Sequence, residues 1–334
     1  MVRTRLPIGL LGALLAALLL GPDAWAQQPK IIRAGLPDPI STPLGQSLLE
    51  FKRIVEAQTG KSIEVQLFPS SQLGTIVEQI ANVKQGSQEM MASTPGMFSR
   101  FYPRTDVLEM PFLLTDWDKT ERLFSSEVFK RLVADADRQT NIRILGALPA
   151  GFRNIMNRRG PIHSLADLKG LKIRLQDSPV HLTTFRTIGA SPITLPIADV
   201  YPAVQSGVVD GLENSNSIMF ASKFYEVAKN LTETRHFFNV FLCYINPAFY
   251  NGLTESQKAA IEAAIRAAEK FTWKNAKENE QKALDDLAKA GVKIVSPSPE
   301  FRAELRKAVQ PVYDEYGKRF EPDLSHLQKV LSGQ

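Results

Sequence analysis

The sequence predicts an α/β protein built from two similar lobes, and three observations predict it. Short apolar runs alternate with amphipathic helical stretches along most of the chain, the pattern of parallel-rich sheets flanked by helices. Two segments, VKQGSQEMMAS (Val83 to Ser93) and VQSGVVDGLEN (Val204 to Asn214), repeat one joint: a helix end, a glycine, an acid three residues on, then a strand. A helical pattern from Thr254 to Ala290 would span roughly 55 Å at 1.5 Å per residue, more than the width of one small domain.

In chain order, strands are expected at Ile31 to Gly35, Ile63 to Phe68 and Met90 to Ser93, then at Ile142 to Leu148 and Phe152 to Asn157. Further strands follow at Leu171 to Leu175, Ile193 to Leu195, Val208 to Glu213, Phe237 to Tyr244 and Val292 to Val295. The run at 171–175 shows the rule: Leu171, Ile173 and Leu175 alternate with Lys172 and Arg174, so one face is buried. Helices are expected at Gly45 to Gln58, Ile76 to Lys84, Asp118 to Asp137 and Ala198 to Gln205. The long helix opens on a capping box of Thr254 and Gln257 and stops at Gly291. Ile261, Ala264, Ile265 and Ala268 line one of its faces. It either bridges two lobes or breaks near Thr272-Trp273, and the bridge is the expectation. Ser164 with Asp167 forms a second capping box. A last helix, capped by Ser298 with Pro299 in its first turn, is expected to reach about Tyr316.

The first residues read as an export signal. Arg3 and Arg5 precede an apolar run from Ile8 to Leu20, and Ala24-Trp25-Ala26 supplies an A-x-A cleavage site. The run is short for a membrane span, so cleavage after Ala26 and an exported mature chain are expected. No nucleic-acid partner is expected: the net charge of +5 is mild, and the basic residues are interleaved with acids, as at Glu269, Glu278 and Glu280, instead of forming a stripe. Cys243 is the one cysteine, which leaves no internal disulfide and no cysteine metal site. Its apolar surroundings, FFNVFLCYI, read as a buried inert thiol.

No enzyme motif stands out: there is no G-x-S-x-G, H-E-x-x-H, P-loop or G-x-G-x-x-G after a strand. His163, His181, His236 and His326 are dispersed, none pairs with an acid or histidine at ligand spacing, and each reads as an ordinary polar or half-buried residue. The sequon Asn230-Leu231-Thr232 reads as incidental. What remains is a set of polar groups in apolar strands: Arg153, Arg174 and Asn214. Arginine offers a planar fork that matches a carboxylate with two hydrogen bonds, and an amide supplies a donor and an acceptor at one place. Ligands of open α/β sheets bind beyond the carboxyl ends of strands, which aims Ser93-Thr94 and Asn214-Ser215 at one cleft.

The stretches LFPSSQLG, GFRNIMNRRGPIHSLADLKGLKIR, IGASPITLPIADVYPAVQSGVVDGLEN and SKFYEVAKNL resemble the extracytoplasmic solute-binding subunits of TRAP (tripartite ATP-independent periplasmic) transporters. The resemblance implies a two-lobed Venus-flytrap fold with a helix spanning both lobes. Its discontinuous lobes would be residues 27–150 with 240–279, and 151–239 with 280–334. It implies a monomeric periplasmic protein, with no cofactor or metal, that captures an organic acid and delivers it to a small and a large membrane subunit. Arg174 matches the family's carboxylate partner, Arg153 its second arginine and Asn214 its amide. Ser93, Thr94, Gln72, Asp177 and Glu213 complete the expected ligand-binding set. Sialic-acid binders carry Glu and Arg where this chain has Thr94 and Met97, and metal-using keto-acid binders place an aromatic at Asn214, so a smaller or less hydroxylated acid, or a uronate held by other residues, is implied. The alternatives are an exported lyase or hydrolase with Glu213 as its base, and a ligand-sensing module on the same scaffold.

Overall fold

The computed structural model describes residues 28–333; the expected export signal lies outside them. Among the described residues, nine strands form one sheet: β1 (Lys30–Gly35), β2 (Ile63–Phe68), β3 (Met90–Ser93), β4 (Arg143–Asn157), β5 (Lys172–Leu175), β6 (Ser191–Thr194), β7 (Gly211–Ser215), β8 (Asn230–Ile245) and β9 (Lys293–Val295). Their order is β2-β1-β3-β8-β4-β7-β5-β6, with β9 on β8. The halves correspond. The strands β2-β1-β3 run parallel and meet β8 antiparallel, while β6-β5-β7 run parallel and meet β4 antiparallel.

The repeated joint is therefore a repeated position. β3 and β7 each sit third from an outer edge and follow a helix that ends on a left-handed glycine, Gly86 at φ 85° and Gly207 at φ 79°. A residue with a Cβ would be strained at either stop.

β4 and β8 cross the whole molecule side by side, from Arg143 opposite Ile245 to Asn157 opposite Asn230. Two separate strands, at 142–148 and 152–157, were expected where β4 is continuous. It passes through Pro149 and Gly151 because register shifts there absorb the irregularity, with Gly151 at φ +99°. β8 begins seven residues before the expected Phe237. Its polar start, NLTETRH, hides a strand that bulges at Arg235, a non-glycine residue at φ 48°.

The long helix, Glu255–Lys289, is unbroken and carries the expected capping box. Ile261, Ala264, Ile265 and Ala268 pack with Leu44, Leu48, Phe51 and Val55 of the Pro43–Gln58 helix in one core. Leu287 joins Val200, Val204, Leu212 and Leu231 in another. Burying each isoleucine contributes about 1.5–3 kcal/mol. The helix continues through Thr272-Trp273, where the buried Thr272 Oγ1 donates back to Ala268 O over 2.6 Å. Trp273 also stacks on Phe238 of β8 and meets Trp117 edge-on. No helix among the described residues is long and apolar enough to cross a membrane.

Two expected helices are split. The first divides into Trp117–Phe124 and Glu127–Thr140, because Ser126 leaves the helix to cap the second part by accepting from Phe129 N. The second divides at Val309, because Pro311 lacks the N–H that would continue it. A further helix, Asp323–Ser332, had no anticipated counterpart and packs against both parts of the first.

Candidate functional site

The carboxyl ends of strands from both halves of the sheet converge. β5 ends at Leu175, and the next residue, Gln176, accepts a hydrogen bond through Oε1 from Thr94 Oγ1, just past β3, over 2.9 Å. One residue further, Asp177 pairs with Arg100. Gly96 approaches so closely that a Cβ there would lie 2.9 Å from Ser178 Cβ. Beside these contacts lies a cavity of about 470 Å³. One wall comes from Ser71 and the segment Gly74 to Val77 with Met97 and Arg100, the other from Arg174, Gln176, Asp177 and the segment Thr194 to Asp199.

Arg174 lines this cavity and is 4% exposed. Its Nε and Nη2 both donate to Leu195 O, at 2.8 and 2.6 Å, so a single carbonyl fixes the plane of the guanidinium. Nη1 has no hydrogen bond to the described residues. Burial, together with the like charge of Arg153, holds its pKa down to about 10. A bound anion would offset the cost of both by its opposite charge.

Arg153 is placed differently. On β4, opposite Ser215 of β7, it donates from Nε to Glu213 Oε2 at 2.5 Å and from Nη2 to Oε1 at 2.7 Å. This ion pair is almost wholly buried, with side-chain exposures of 3% and 0%. Burial would raise the Glu213 carboxyl, but the Arg153 charge and hydrogen bond overcome it and hold Glu213 well below the usual range. Glu213 is thus a fixed counter-ion already engaged by a guanidinium, which leaves it poorly placed to act as a base.

Two of the four histidines are buried and lie against acids, which corrects their reading as ordinary polar or half-buried residues. His181 Nε2 lies 2.6 Å from Glu109 Oε2, and His236 Nε2 lies 3.3 Å from Glu213 Oε2. The first ring stacks on Phe237 at 3.8 Å. Sequence spacing could not show these pairs, because the partners are 72 and 23 residues apart. The buried network extends to Asp106, whose carboxyl is pushed up to about 8 by burial and by the neighbouring Glu109.

Of the remaining expected residues, Asp177 lines the cavity. Asn214 is buried, its Oδ1 accepting from Ser215 N and Asn239 Nδ2. Ser93 accepts from the Tyr244 hydroxyl, and Thr94 caps the short turn that follows it. Gln72 is exposed and lies outside the cavity lining, which its neighbours Ser71 and Gly74 enter instead.

Two cavity-lining residues, Arg100 and Gln176, escaped sequence reasoning, as did two buried polar residues outside the lining, Asp38 and Asn239. Asp38 follows the carboxyl end of β1 and is 3% exposed. Burial pushes its carboxyl up to about 7 against the opposing charges of Arg153 and Arg174. The strand-end rule that singled out Ser93 and Asn214 applies equally to this acid.

Fold and cleft together define a class: a two-lobed binding protein with a buried guanidinium in the cavity between its halves. The chain belongs to the bacterial extracellular solute-binding protein family 7, whose family model matches residues 38–319. It is similar to the 2,3-diketo-L-gulonate-binding periplasmic protein of Escherichia coli, at 30% identity over 74% of this chain and 75% of that one. Among solved structures it resembles the sugar acid binding protein of Advenella mimigardefordensis in complex with galactonate. The TM-score is 0.88 and the identity 26%, covering 92% of this chain and 99% of that one. It also resembles a TRAP periplasmic solute binding protein of Sulfurospirillum deleyianum with bound succinate. There the TM-score is 0.85 and the identity 28%, covering 91% and 99%.

Proposed function

We propose that this chain captures an organic acid anion in the cavity between its lobes and delivers it to the small and large membrane subunits of a TRAP transporter. The observation that carries the reading is Arg174. It is buried in the cavity wall and oriented by the Leu195 carbonyl, and one guanidinium nitrogen is uncommitted among the described residues. Arg174 receives the carboxylate. Asn214 orients the ligand, and the Arg153–Glu213 pair holds the wall behind it. Export follows cleavage after Ala26, which places the mature chain in the periplasm.

The lobes divide at 27–150 with 240–279 and 151–239 with 280–334. β4, β8 and the long helix cross between them, in keeping with the separate cores that this helix joins. The ligands of similar proteins, a diketo sugar acid, galactonate and succinate, share a carboxylate and support the class of ligand.

The test is a thermal-shift screen of the mature chain against organic acids, followed by calorimetry. At a hundredfold excess over its dissociation constant a ligand stabilises the folded state by about 2.7 kcal/mol. No shift with any carboxylate would contradict the reading. Mass spectrometry of the bound acid separates capture from turnover, and a recovered product would favour the enzyme alternative.

A further inference from the structure

The cavity offers a ligand one unpaired positive charge between two apolar surfaces. Four charged side chains line it, Arg100, Arg174, Asp177 and Asp199, so two cations meet two anions before a ligand enters. Arg100 is paired with Asp177, and behind the wall Arg153 is paired with Glu213. Of these three arginines only Arg174 lacks a carboxylate partner among the described residues; its bonds go to the Leu195 carbonyl. The neutral polar groups are largely committed too. Thr75 exchanges hydrogen bonds with Glu78 in the cap of its own helix, and Gln176 Oε1 accepts from Thr94 while its Nε2 is buried. Ser71 and Thr194 are the hydroxyls left on the lining.

Carbon makes up the rest. Ile76, Val77 and Met97 line one wall, and Leu195, Pro196 and Ile197 the other. Ile76 packs on one core of the protein, and Leu195 and Ile197 on another, so close-packed interior backs both surfaces. Ligand classes differ in what they ask of such a lining. A dicarboxylate brings a second charge that reaches Arg100 only by parting it from Asp177, and otherwise enters uncompensated beside Asp177 and Asp199. A sugar acid has a hydroxyl on nearly every carbon and would press most of them, stripped of water, against apolar side chains. A single carboxylate with an apolar body satisfies Arg174 and buries its carbon on both walls.

We propose that the preferred ligand is a monocarboxylate with an apolar body, its carboxylate on Arg174 and its carbon skeleton between the two apolar walls. This rests on the carboxylate-capture reading above and narrows it to one charge and few hydroxyls.

The experiment is calorimetry of the mature chain with three six-carbon acids, hexanoate, adipate and gluconate, and with the shorter butanoate and pentanoate. Hexanoate should bind roughly tenfold or more tightly than adipate or gluconate, whose extra polar groups find no partners. Each methylene from butanoate to hexanoate should tighten binding about fourfold. Val77→Thr, which keeps the shape of the side chain, and Ile197→Thr each place a hydroxyl in a wall at a partly exposed position. Both should reduce the preference for hexanoate over gluconate. Adipate or gluconate binding as tightly as hexanoate would overturn the inference and leave carboxylate capture standing. So would an affinity that stays flat from butanoate to hexanoate, or a preference undiminished in both variants. Failure of every acid to bind would overturn both readings.

Discussion

Thr94 and Gln176 are joined across the cleft: the Thr94 hydroxyl donates to Gln176 Oε1 over 2.9 Å. Thr94 follows β3 in one half of the sheet and Gln176 follows β5 in the other. With the Arg100–Asp177 pair, this contact holds the two walls of the cavity against each other. Ligand affinity therefore depends on residues that need not touch the ligand.

Gly96 tests that dependence. A Cβ at this position would lie 2.9 Å from Ser178 Cβ and 3.0 Å from Gln176 Nε2, so Gly96→Ala wedges the walls apart. Overpacking of this kind costs about 1–3 kcal/mol, and here the cost falls on the closed state. Calorimetry should show weaker binding, and X-ray scattering with ligand should show a larger radius than wild type, with the thermal midpoint of the free chain little changed.

The Arg153–Glu213 pair should behave as a buried ion pair. Removing one partner leaves the other charged and buried, which costs about 3–5 kcal/mol. Arg153→Met alone should be strongly destabilising in urea unfolding, while Arg153→Met with Glu213→Gln should recover much of the loss. Equal destabilisation by the single and double variants would show that the two residues are not coupled.

Asp106 predicts a pH dependence. Its carboxyl is held up to about 8 by burial, whereas an unfolded aspartate ionises near about 3.9. Between those values the folded chain retains a proton that the unfolded chain has lost. The contribution of Asp106 to stability therefore falls as pH rises, by up to about 1.4 kcal/mol per pH unit. Asp106→Asn keeps the shape and removes the proton, so it should flatten this slope between pH 5 and 8 and be relatively most stable at the upper end. Parallel pH profiles for variant and wild type would refute the assignment.

The fold was largely legible in the sequence because its determinants are local. Glycine stops at Gly86 and Gly207, the Thr254 capping box and the period-two run at 171–175 each reside in a few adjacent residues. β8 was read short because Arg235 and its polar neighbours bulge, and a bulge erases the period of two. In the site, Arg174 stood out as a charged residue in an apolar strand. Arg100 and Gln176 gave no such contrast, since what brings them to the cavity is pairing across it, with Asp177 and Thr94. The pair His181–Glu109 joins the Pro179–Thr187 helix to the short helix Pro103–Glu109, and His236–Glu213 joins β8 to β7; no spacing rule encodes such meetings in space.

The central claim is that Arg174 holds the ligand carboxylate. It is tested most directly by calorimetry of wild type, Arg174→Lys and Arg174→Ala with the tightest-binding organic acid from the thermal-shift screen. Loss of one partner of a desolvated charge pair costs about 2–5 kcal/mol, so the alanine variant should bind at least about 30-fold more weakly. The lysine variant should also lose affinity, because an ammonium can make neither the paired bonds to Leu195 O nor the planar contact with the ligand. Unchanged affinity in both variants would contradict the account.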